Sequence, residues 1–333
     1  MNDKVKDKKQ FYISSSPHFS ANLTTTKIMA CVLIALLPEV IFGIVTFGLP
    51  AFVTILVSVI GAVGFEALYQ IITKQKVVVS NLSAAVTGVM LALVLPSTTP
   101  VWMVLLADLV AVVVAKGLFG GIGSNVFNPA LTGRAVLFIS FPAAIGATWA
   151  TPLPLLKQNP SLDAISSATV LSQINSGTFA VSGDSIWQLF MGNRAGCIGE
   201  TCKLALILGG LYLAILGIIN IGYPIIYIVV TGVFTVLLKG FNFEYFLPSI
   251  LSGGLFLGAI FMATDYVTTP NTTLGNIIYF IALGLLTAGL RVATKIEVVS
   301  FAILLMNLIV PLIDKFVMTK PFGFKKKKEA KNG

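Results

Sequence analysis

Charge is scarce in this chain. Asp, Glu, Lys and Arg together make up only 11% of the 333 residues, whereas soluble domains carry about 25%. Apolar residues make up 56%, and the mean hydropathy is +0.94. A water-soluble fold could not bury so much apolar surface, which excludes a soluble globular domain. Because one spanning helix needs about 20 apolar residues, the length allows up to about ten membrane spans.

Cysteine and histidine are also rare, with three cysteines and one histidine. Cys31 lies in the first apolar run, where a small core residue is expected. Cys197 and Cys202 form a lone pair, which is a weak metal signal. A disulfide is the alternative in an oxidising compartment, and two structural cysteines are favoured over a cofactor ligand. His18 precedes the first apolar run, so we expect it in a surface turn or, alternatively, against a partner protein or a cofactor.

No cleavable signal peptide is predicted, because the first 27 residues are polar and carry charges of both signs. The lysines are concentrated at the two ends of the chain, so both ends are expected in the cytoplasm. A basic tail is also typical of nucleic-acid binding. Lysines beside a final span are the commoner pattern, so we predict contact with membrane lipid and no nucleic acid. These lysines are Lys4, Lys6, Lys8, Lys9, Lys315, Lys320, Lys325, Lys326, Lys327, Lys328 and Lys331.

The apolar runs predict an all-α polytopic membrane protein with about ten transmembrane helices in two inverted five-helix repeats. The repeats are predicted over residues 28–147 and 203–316, with cytoplasmic segments at 1–27 and 317–333. The predicted spans include the apolar runs at 28–47, 51–72, 247–263 and 274–290. Since five spans are an odd number, residues 148–202 are expected outside the cytoplasm. Their charges agree with this, because they form the least basic of the hydrophilic segments.

The two apolar blocks share a short pattern. LSAA at residues 82–85 and TTP at 98–100 recur as LSGG at 251–254 and TTP at 268–270, and the TTP offset is 270 − 100 = 170 residues. Inverted repeats with interrupted helices hold sites near the axis that relates them. A chance match is the alternative, because Leu, Ser and Gly are common in spans.

A further interruption is predicted at residues 120–130 (GGIGSNVFNPA), where three glycines and an Asn-Pro step break a regular helix. Broken backbone at membrane depth is tolerated only inside the protein or beside a cavity.

Several ionisable residues lie in or beside the apolar runs, where they are costly and are functional candidates by default. For Lys116 and Arg291 we favour side chains that reach the membrane surface from the ends of their spans. Glu66 and Asp108 lie deeper, and with Asp265 they are the candidates for an ion path, the alternative being contact with a partner protein. The full set is Glu39, Glu66, Asp108, Lys116, Arg134, Asp265 and Arg291.

Residues 163–169 (DAISSAT) resemble the motif that flavin transferases recognise when they move FMN from FAD to a threonine. Thr169 would supply the hydroxyl that attacks phosphorus, and Asp163, Ser166, Ser167 and Ala168 would form the small, polar approach to it. The resemblance is incomplete, because Ser167 stands where the usual motif has glycine. The alternative is an ordinary polar loop rich in serine and threonine.

The likeness extends over residues 11–318, which together resemble the D subunit of the Rnf complex. The B subunit of the sodium-translocating NADH:quinone reductase is a related protein with the same fold and flavin motif. In this family the position of Cys202 is commonly serine, which favours a structural cysteine. The matching stretches are SPH at 16–18, GGIG and NPA within 120–130, GCIGET at 196–201, MATD at 262–265 with TTP at 268–270, and FAILLMN at 301–307.

The resemblance implies a membrane electron-transfer subunit of an enzyme complex that moves electrons between ferredoxin and NAD and couples this to Na⁺ or H⁺ transport. It further implies FMN joined to Thr169 through a phosphoester, other Rnf subunits and a flavin transferase as partners, and a prokaryotic cell membrane as the location. Some relatives also bind riboflavin without a covalent bond. The chain is not expected to be active alone.

Two other functions fit parts of the sequence. A channel or secondary transporter would suit the repeats and the broken helix at residues 128–130. Water channels have a second NPA triplet, however, and none occurs here. A transporter also leaves residues 163–169 unexplained. A scaffold subunit without a redox group is the third alternative.

Overall fold

The structure is a computed structural model that describes residues 24–146, 149–150, 152, 173–174, 179–294 and 296–317. His18, the flavin-attachment segment at 163–169 and most of the predicted cytoplasmic ends lie outside the described residues. The predictions for Asp163, Ser166, Ser167, Ala168 and Thr169 therefore stay predictions.

The described part of the first half contains two long helices followed by four shorter ones. The long apolar runs form α1 and α2, which meet at Gly48. Gly48 has a φ of 70°, a left-handed conformation that glycine adopts without a steric penalty. The elements are α1 Thr25–Phe47, α2 Leu49–Ile72, a 3-10 turn Val79–Asn81, α3 Ser83–Leu93, α4 Val101–Leu109 continued by a π-helix Val110–Gly117, α5 Pro129–Ser140 and α6 Pro142–Gly146.

The second half repeats this order after a connecting helix. That helix, α7, is held at its start by Ser182 and Ser185, each of which caps the backbone N–H of the other. The elements are α7 Gly183–Met191, a 3-10 turn Ile198–Glu200, α8 Lys203–Ile215, α9 Gly222–Leu238, a 3-10 turn Phe243–Tyr245, α10 Phe246–Leu251, α11 Leu255–Leu257 continued by a π-helix Gly258–Met262, α12 Thr273–Thr294 and α13 Val299–Phe316.

The prediction of an all-helical, multi-pass membrane protein is confirmed. Among the described residues, α1, α2, α12 and α13 are each long and apolar enough to span a membrane. A fifth candidate span is the run predicted over residues 247–263, which is not one helix but two pieces bent by 67° at a break beside Gly253 and Gly254. The remaining apolar helices have 10–17 residues. The number of ten spans and the inverted orientation stay predictions.

The two halves contact each other through elements that hold equivalent places. The first helix of each half packs on the other (α1 on α8), and so does the fifth (α5 on α13). Within each half the second helix packs on the fourth, as α2 on α4 and α9 on α12. Small residues permit such approaches: a Cβ on Gly284 of α12 would lie 2.8 Å from the Cβ of Val230 on α9. The TTP triplets precede α4 and α12, in agreement with the predicted repeat.

Candidate functional site

A cavity of about 120 Å³ lies where the two halves meet. Its walls come from α1, α3 and the end of α8, and from two stretches without regular helix, at residues 122–128 and 264–267. Irregular backbone is tolerated in a membrane beside such a cavity. The polar side chains in its lining are Ser83, Thr87, Lys116, Asn125, Asn128, Thr264, Asp265 and Tyr266.

One wall of the cavity carries a buried ion pair. The Nζ of Lys116 lies 2.8 Å from the Oε1 of Glu66 and also donates a hydrogen bond to Ser83, at 2.6 Å. The Lys116 side chain is only 5% exposed. The prediction that Lys116 reaches the membrane surface is therefore wrong: its charge is neutralised inside the chain, which costs less than exposing an ammonium group to lipid.

Asp265 also lines the cavity, in the turn after the π-helix Gly258–Met262. Its carboxylate accepts long hydrogen bonds from the N–H of Val267 (3.4 Å) and the hydroxyl of Thr268 (3.5 Å). The hydroxyl of Thr269 donates to the backbone oxygen of Asp265 at 3.0 Å. The TTP triplet thus closes the turn, and the half-buried carboxylate keeps bonding capacity toward the cavity.

Asn128 joins the two halves at the cavity. Its side-chain oxygen caps α5 by accepting from the N–H of Leu131, at 3.3 Å. Its amide nitrogen donates to the backbone oxygen of Met262 in the second half, at 3.4 Å. The Asn-Pro step that predicted a helix break is therefore a helix start, with Pro129 at the first position, where a missing N–H costs nothing.

Asp108 is not part of the cavity lining. It is fully buried between α2, α3 and α4, and Ser58 is its hydrogen-bond partner, with 2.8 Å between Ser58 Oγ and Asp108 Oδ1. The other carboxylate oxygen has no partner among the described residues. The structure therefore places Glu66, Asp108 and Asp265 in three separate environments: an ion pair, a sealed helix contact and a cavity wall.

A second group of buried charges lies on the side of the halves that faces the connecting segment. Glu39 is fully buried and accepts a hydrogen bond of 2.8 Å from the Thr201 hydroxyl. Arg134 donates a short hydrogen bond to Ser300 and contacts the sulfur of Cys197 at 3.9 Å. These contacts hold α1 to the start of α8 and α5 to the start of α13.

Arg291 is buried as well, at 1% exposure, so the prediction that it reaches the membrane surface is wrong. Its Nη2 lies 3.0 Å from both carboxylate oxygens of Glu297, and its guanidinium donates to the backbone oxygens of Ser249 and Ser252. These oxygens lie at the break between α10 and α11. Arg291 therefore donates hydrogen bonds to backbone oxygens that the interrupted helix leaves without helical partners.

The three cysteines are free thiols. Cys197 and Cys202 are buried, and Cys31 packs half-buried against the main core. No group of three or more His, Cys, Asp or Glu side chains suited to a metal occurs in the described part of the chain. The disulfide alternative is not formed.

The described residues that follow the predicted flavin-attachment segment in the sequence dock on the second half. Phe179 and Leu189 form a small apolar cluster with Leu251 of α10. Lys239, at the end of α9, donates to the backbone oxygen of Ile174 at 2.7 Å and lies 5.0 Å from the ring centre of Tyr245. Burial lowers the pKa of Lys239. Ile174, Phe179 and Leu189 are thus held against one end of α9 and α10.

Sequence reasoning missed the partners of the buried charges, chiefly Ser58, Ser83 and Glu297. A signal for Ser58 was present. Ser58 and Glu66 are eight residues apart on α2, and Asp108 and Lys116 are eight residues apart on the facing helix. Residues eight positions apart lie on nearly the same face of a helix. Ser58 and Glu66 could therefore face Asp108 and Lys116, respectively.

Comparison with known proteins gives a consistent result. The family model described as "NQR2, RnfD, RnfE family" matches residues 12–323. The chain is 40% identical over 323 residues to the D subunit of the Na⁺-translocating ferredoxin:NAD⁺ oxidoreductase complex of Acetobacterium woodii, covering 96% of this chain and 98% of that one. It is 38% identical over 325 residues to the D subunit of the proton-translocating complex of Clostridium ljungdahlii, covering 94% and 96%. The D subunit of an ion-translocating oxidoreductase complex of Stutzerimonas stutzeri is 35% identical over 328 residues, covering 89% and 92%.

Proposed function

The chain belongs to the NQR2, RnfD, RnfE family, and on that premise we propose that it is the D subunit of an ion-translocating ferredoxin:NAD⁺ oxidoreductase and carries FMN on Thr169. The resemblance found in the sequence is confirmed at the level of the family. The observation that carries the proposal is the family match over residues 12–323 together with the DAISSAT stretch at 163–169. A flavin suits electron relay because it exchanges one or two electrons, while the protein supplies position and electrostatics.

Attachment is a phosphoryl transfer in which the Thr169 hydroxyl oxygen bonds to the FMN phosphorus of FAD. The hydroxyl proton is lost, the bond between the two FAD phosphates breaks, and AMP leaves. The docked residues that follow Thr169 in the chain support the proposal. Ile174, Phe179 and Leu189 lie against α9 and α10, so a flavin on Thr169 would be tethered within a few residues of the membrane helices.

The test is expression of the whole complex with its flavin transferase, followed by denaturing electrophoresis. The wild-type chain should keep in-gel flavin fluorescence, Thr169→Ala should lose it entirely, and the matched variant Ser167→Gly, which restores the usual motif, should keep it. Peptide mass spectrometry then locates the phosphoester. An unmodified Thr169 in active complex would refute the attachment site, and full ferredoxin-dependent NAD reduction by Thr169→Ala would favour the scaffold alternative.

A second flavin, riboflavin bound without a covalent bond, is also part of the proposal. The resemblance to the family supports it; the cavity between the halves, at about 120 Å³, is well below the roughly 300–1,000 Å³ of pockets that enclose such a ligand. Such a flavin would be released into solution when the purified complex is denatured, and Thr169→Ala would still release it. Absence of any released flavin from wild-type complex would contradict this second site.

Ion coupling is proposed to involve Asp265 first among the three predicted acids, because Asp265 lines the cavity, whereas Glu66 is paired and Asp108 is sealed. The relatives named for Na⁺ and for protons are almost equally similar to this chain, at 40% and 38% identity, so overall similarity does not decide the ion.

Transport measurements on vesicles that contain the complex would decide whether Asp265 takes part in ion transport and whether the ion is Na⁺ or H⁺. Asp265→Asn should lower ion uptake by more than tenfold, and Glu244→Gln, on an exposed turn, should leave it unchanged. Uptake of ²²Na⁺ that persists with a protonophore indicates Na⁺; acidification without sodium indicates H⁺. Uptake by the isolated chain without redox partners would instead favour the transporter alternative.

A further inference from the structure

The Ser58 hydroxyl lies within hydrogen-bond distance of two oxygens near Asp108 but has only one proton to donate. The hydroxyl of Ser58 lies 2.8 Å from Asp108 Oδ1 and 2.9 Å from the backbone oxygen of Gly88. A hydroxyl has a single proton to donate, and the oxygen of Gly88 can only accept. If Ser58 donates to Gly88, the contact between Ser58 and Asp108 needs a proton from the carboxyl group.

The surroundings give no charge that would stabilise an ionised Asp108. The titratable groups on the elements packed around it are Glu66 and Tyr69 on α2, Lys116 on the continuation of α4, and Arg134 on α5, and none of them bonds to Asp108. Helix α3 has no titratable side chain. An ionised carboxylate with one hydrogen bond, fully buried, is strongly disfavoured against its neutral form.

The site also lacks room for a metal ion with its water shell. A Cβ on Gly61 would lie 2.8 Å from Asp108 Oδ2, and a Cβ on Gly88 would lie 2.7 Å from the backbone oxygen of Ser58. The two glycines thus bring the backbones of α2 and α3 close to the carboxyl group. The oxygens at this site are those of the Asp108 carboxyl group, Ser58 Oγ and the backbone oxygen of Gly88. Na⁺ and similar hard cations prefer about six oxygen ligands.

We propose that Asp108 is a proton-binding site: its carboxyl group is neutral at physiological pH and donates to Ser58, which donates to Gly88. This chain of two hydrogen bonds ties α4 to α2 and α2 to α3. The proton belongs to the resting structure of the first half and is distinct from the ion that Asp265 is proposed to handle. The assignment does not depend on flavin attachment.

Infrared difference spectroscopy on the purified complex tests the proposal at neutral pH. Wild type minus Asp108→Asn should show one carbonyl band of a protonated carboxylic acid, which shifts in D₂O. The variant should remain assembled, because the asparagine amide has the same shape and also donates to Ser58. The band should not change when NaCl replaces KCl, because the site exchanges no ion.

A Ser58→Ala variant gives an independent readout if the first spectrum is crowded. Without the Ser58 hydroxyl, the Asp108 carboxyl group loses its hydrogen-bond acceptor, so its acid band should move to higher frequency. Thr54→Ala, on the same helix, should leave the band in place. Carboxylate bands in place of the acid band, loss of the band in sodium, failure of Asp108→Asn to assemble, or an unmoved band in Ser58→Ala would each overturn the proposal.

Discussion

The contact between α2 and α4 in the first half and the contact between α9 and α12 in the second hold the same place in the repeat, yet they use different chemistry. The first carries a carboxyl–hydroxyl contact at Asp108 and an ion pair between Glu66 and Lys116. The second carries a hydrogen bond of 2.8 Å between the hydroxyls of Tyr227 and Thr287, both fully buried. A repeat can therefore keep its helix packing while only one copy keeps ionisable groups.

This difference matters for function because a buried hydroxyl pair stays neutral at any physiological pH, whereas carboxyl and ammonium groups can exchange protons. The first half is thus the one whose helix contact contains groups that can bind a proton. The second half contributes Asp265 to the cavity wall, outside its own α9–α12 contact. Three experiments would break or sharpen the comparison.

The largest effect is expected from Lys116→Met, which leaves the Glu66 carboxylate buried without its partner. Removing one member of a buried ion pair costs about 3–5 kcal/mol, so the free energy of unfolding of the chain in detergent should fall by about that much. The double variant Glu66→Leu, Lys116→Met should recover most of the loss. A single variant as stable as wild type would show that the pair is not buried in the folded chain.

An intermediate effect is expected at two close glycine contacts, one in each half. Gly88→Ala would press on the backbone of Ser58, and Gly284→Ala on the Cβ of Val230, at 2.7 and 2.8 Å. Overpacking of this kind costs about 1–3 kcal/mol, so both variants should lower the unfolding free energy by similar amounts.

The matched controls for the glycine variants are Gly64→Ala on α2 and Gly289→Ala on α12, where a Cβ would meet nothing within 4 Å. They should be neutral or stabilising by up to about 1 kcal/mol, because alanine favours helix over glycine. Equal losses in variants and controls would mean that the close packing of the two halves does not limit stability.

The smallest effect is expected from Tyr227→Phe. It removes one neutral hydrogen bond and should lower the unfolding free energy by about 1 kcal/mol. Thr287→Val should cost a similar amount, and the double variant should cost less than the sum, because the two side chains share one interaction. A loss for Tyr227→Phe as large as that for Lys116→Met would contradict the contrast between a charged and a hydroxyl contact.

Much of the helical layout was predictable from apolar runs alone. The runs predicted at 28–47, 51–72 and 274–290 correspond to α1, α2 and α12 with ends that differ by a few residues. Gly253 and Gly254 marked the place where the run at 247–263 bends, although one span was predicted there. Membrane helices are predictable in this way because each must satisfy its own backbone hydrogen bonds, so the signal is local.

The fate of the buried charges was not predictable in the same way. Whether Lys116 reaches water or Glu66 depends on how α2 faces the continuation of α4. Arg291 reaches the backbone oxygens of Ser249 and Ser252 because the chain bends between α10 and α11. The local sequence around Lys116 and Arg291 is that of an ordinary span end, so it favours exposure.

The order of amino acids alone therefore determined the membrane class, the family and the approximate positions of the long helices, since these depend on composition and short contiguous patterns. It is also the basis for the prediction of flavin attachment at residues 163–169. The packed helices decided which acids are paired, sealed or open to the cavity. Contacts between residues 50 or more positions apart have no local signature, and the free energy of a buried charge depends on the neighbours that folding brings to it.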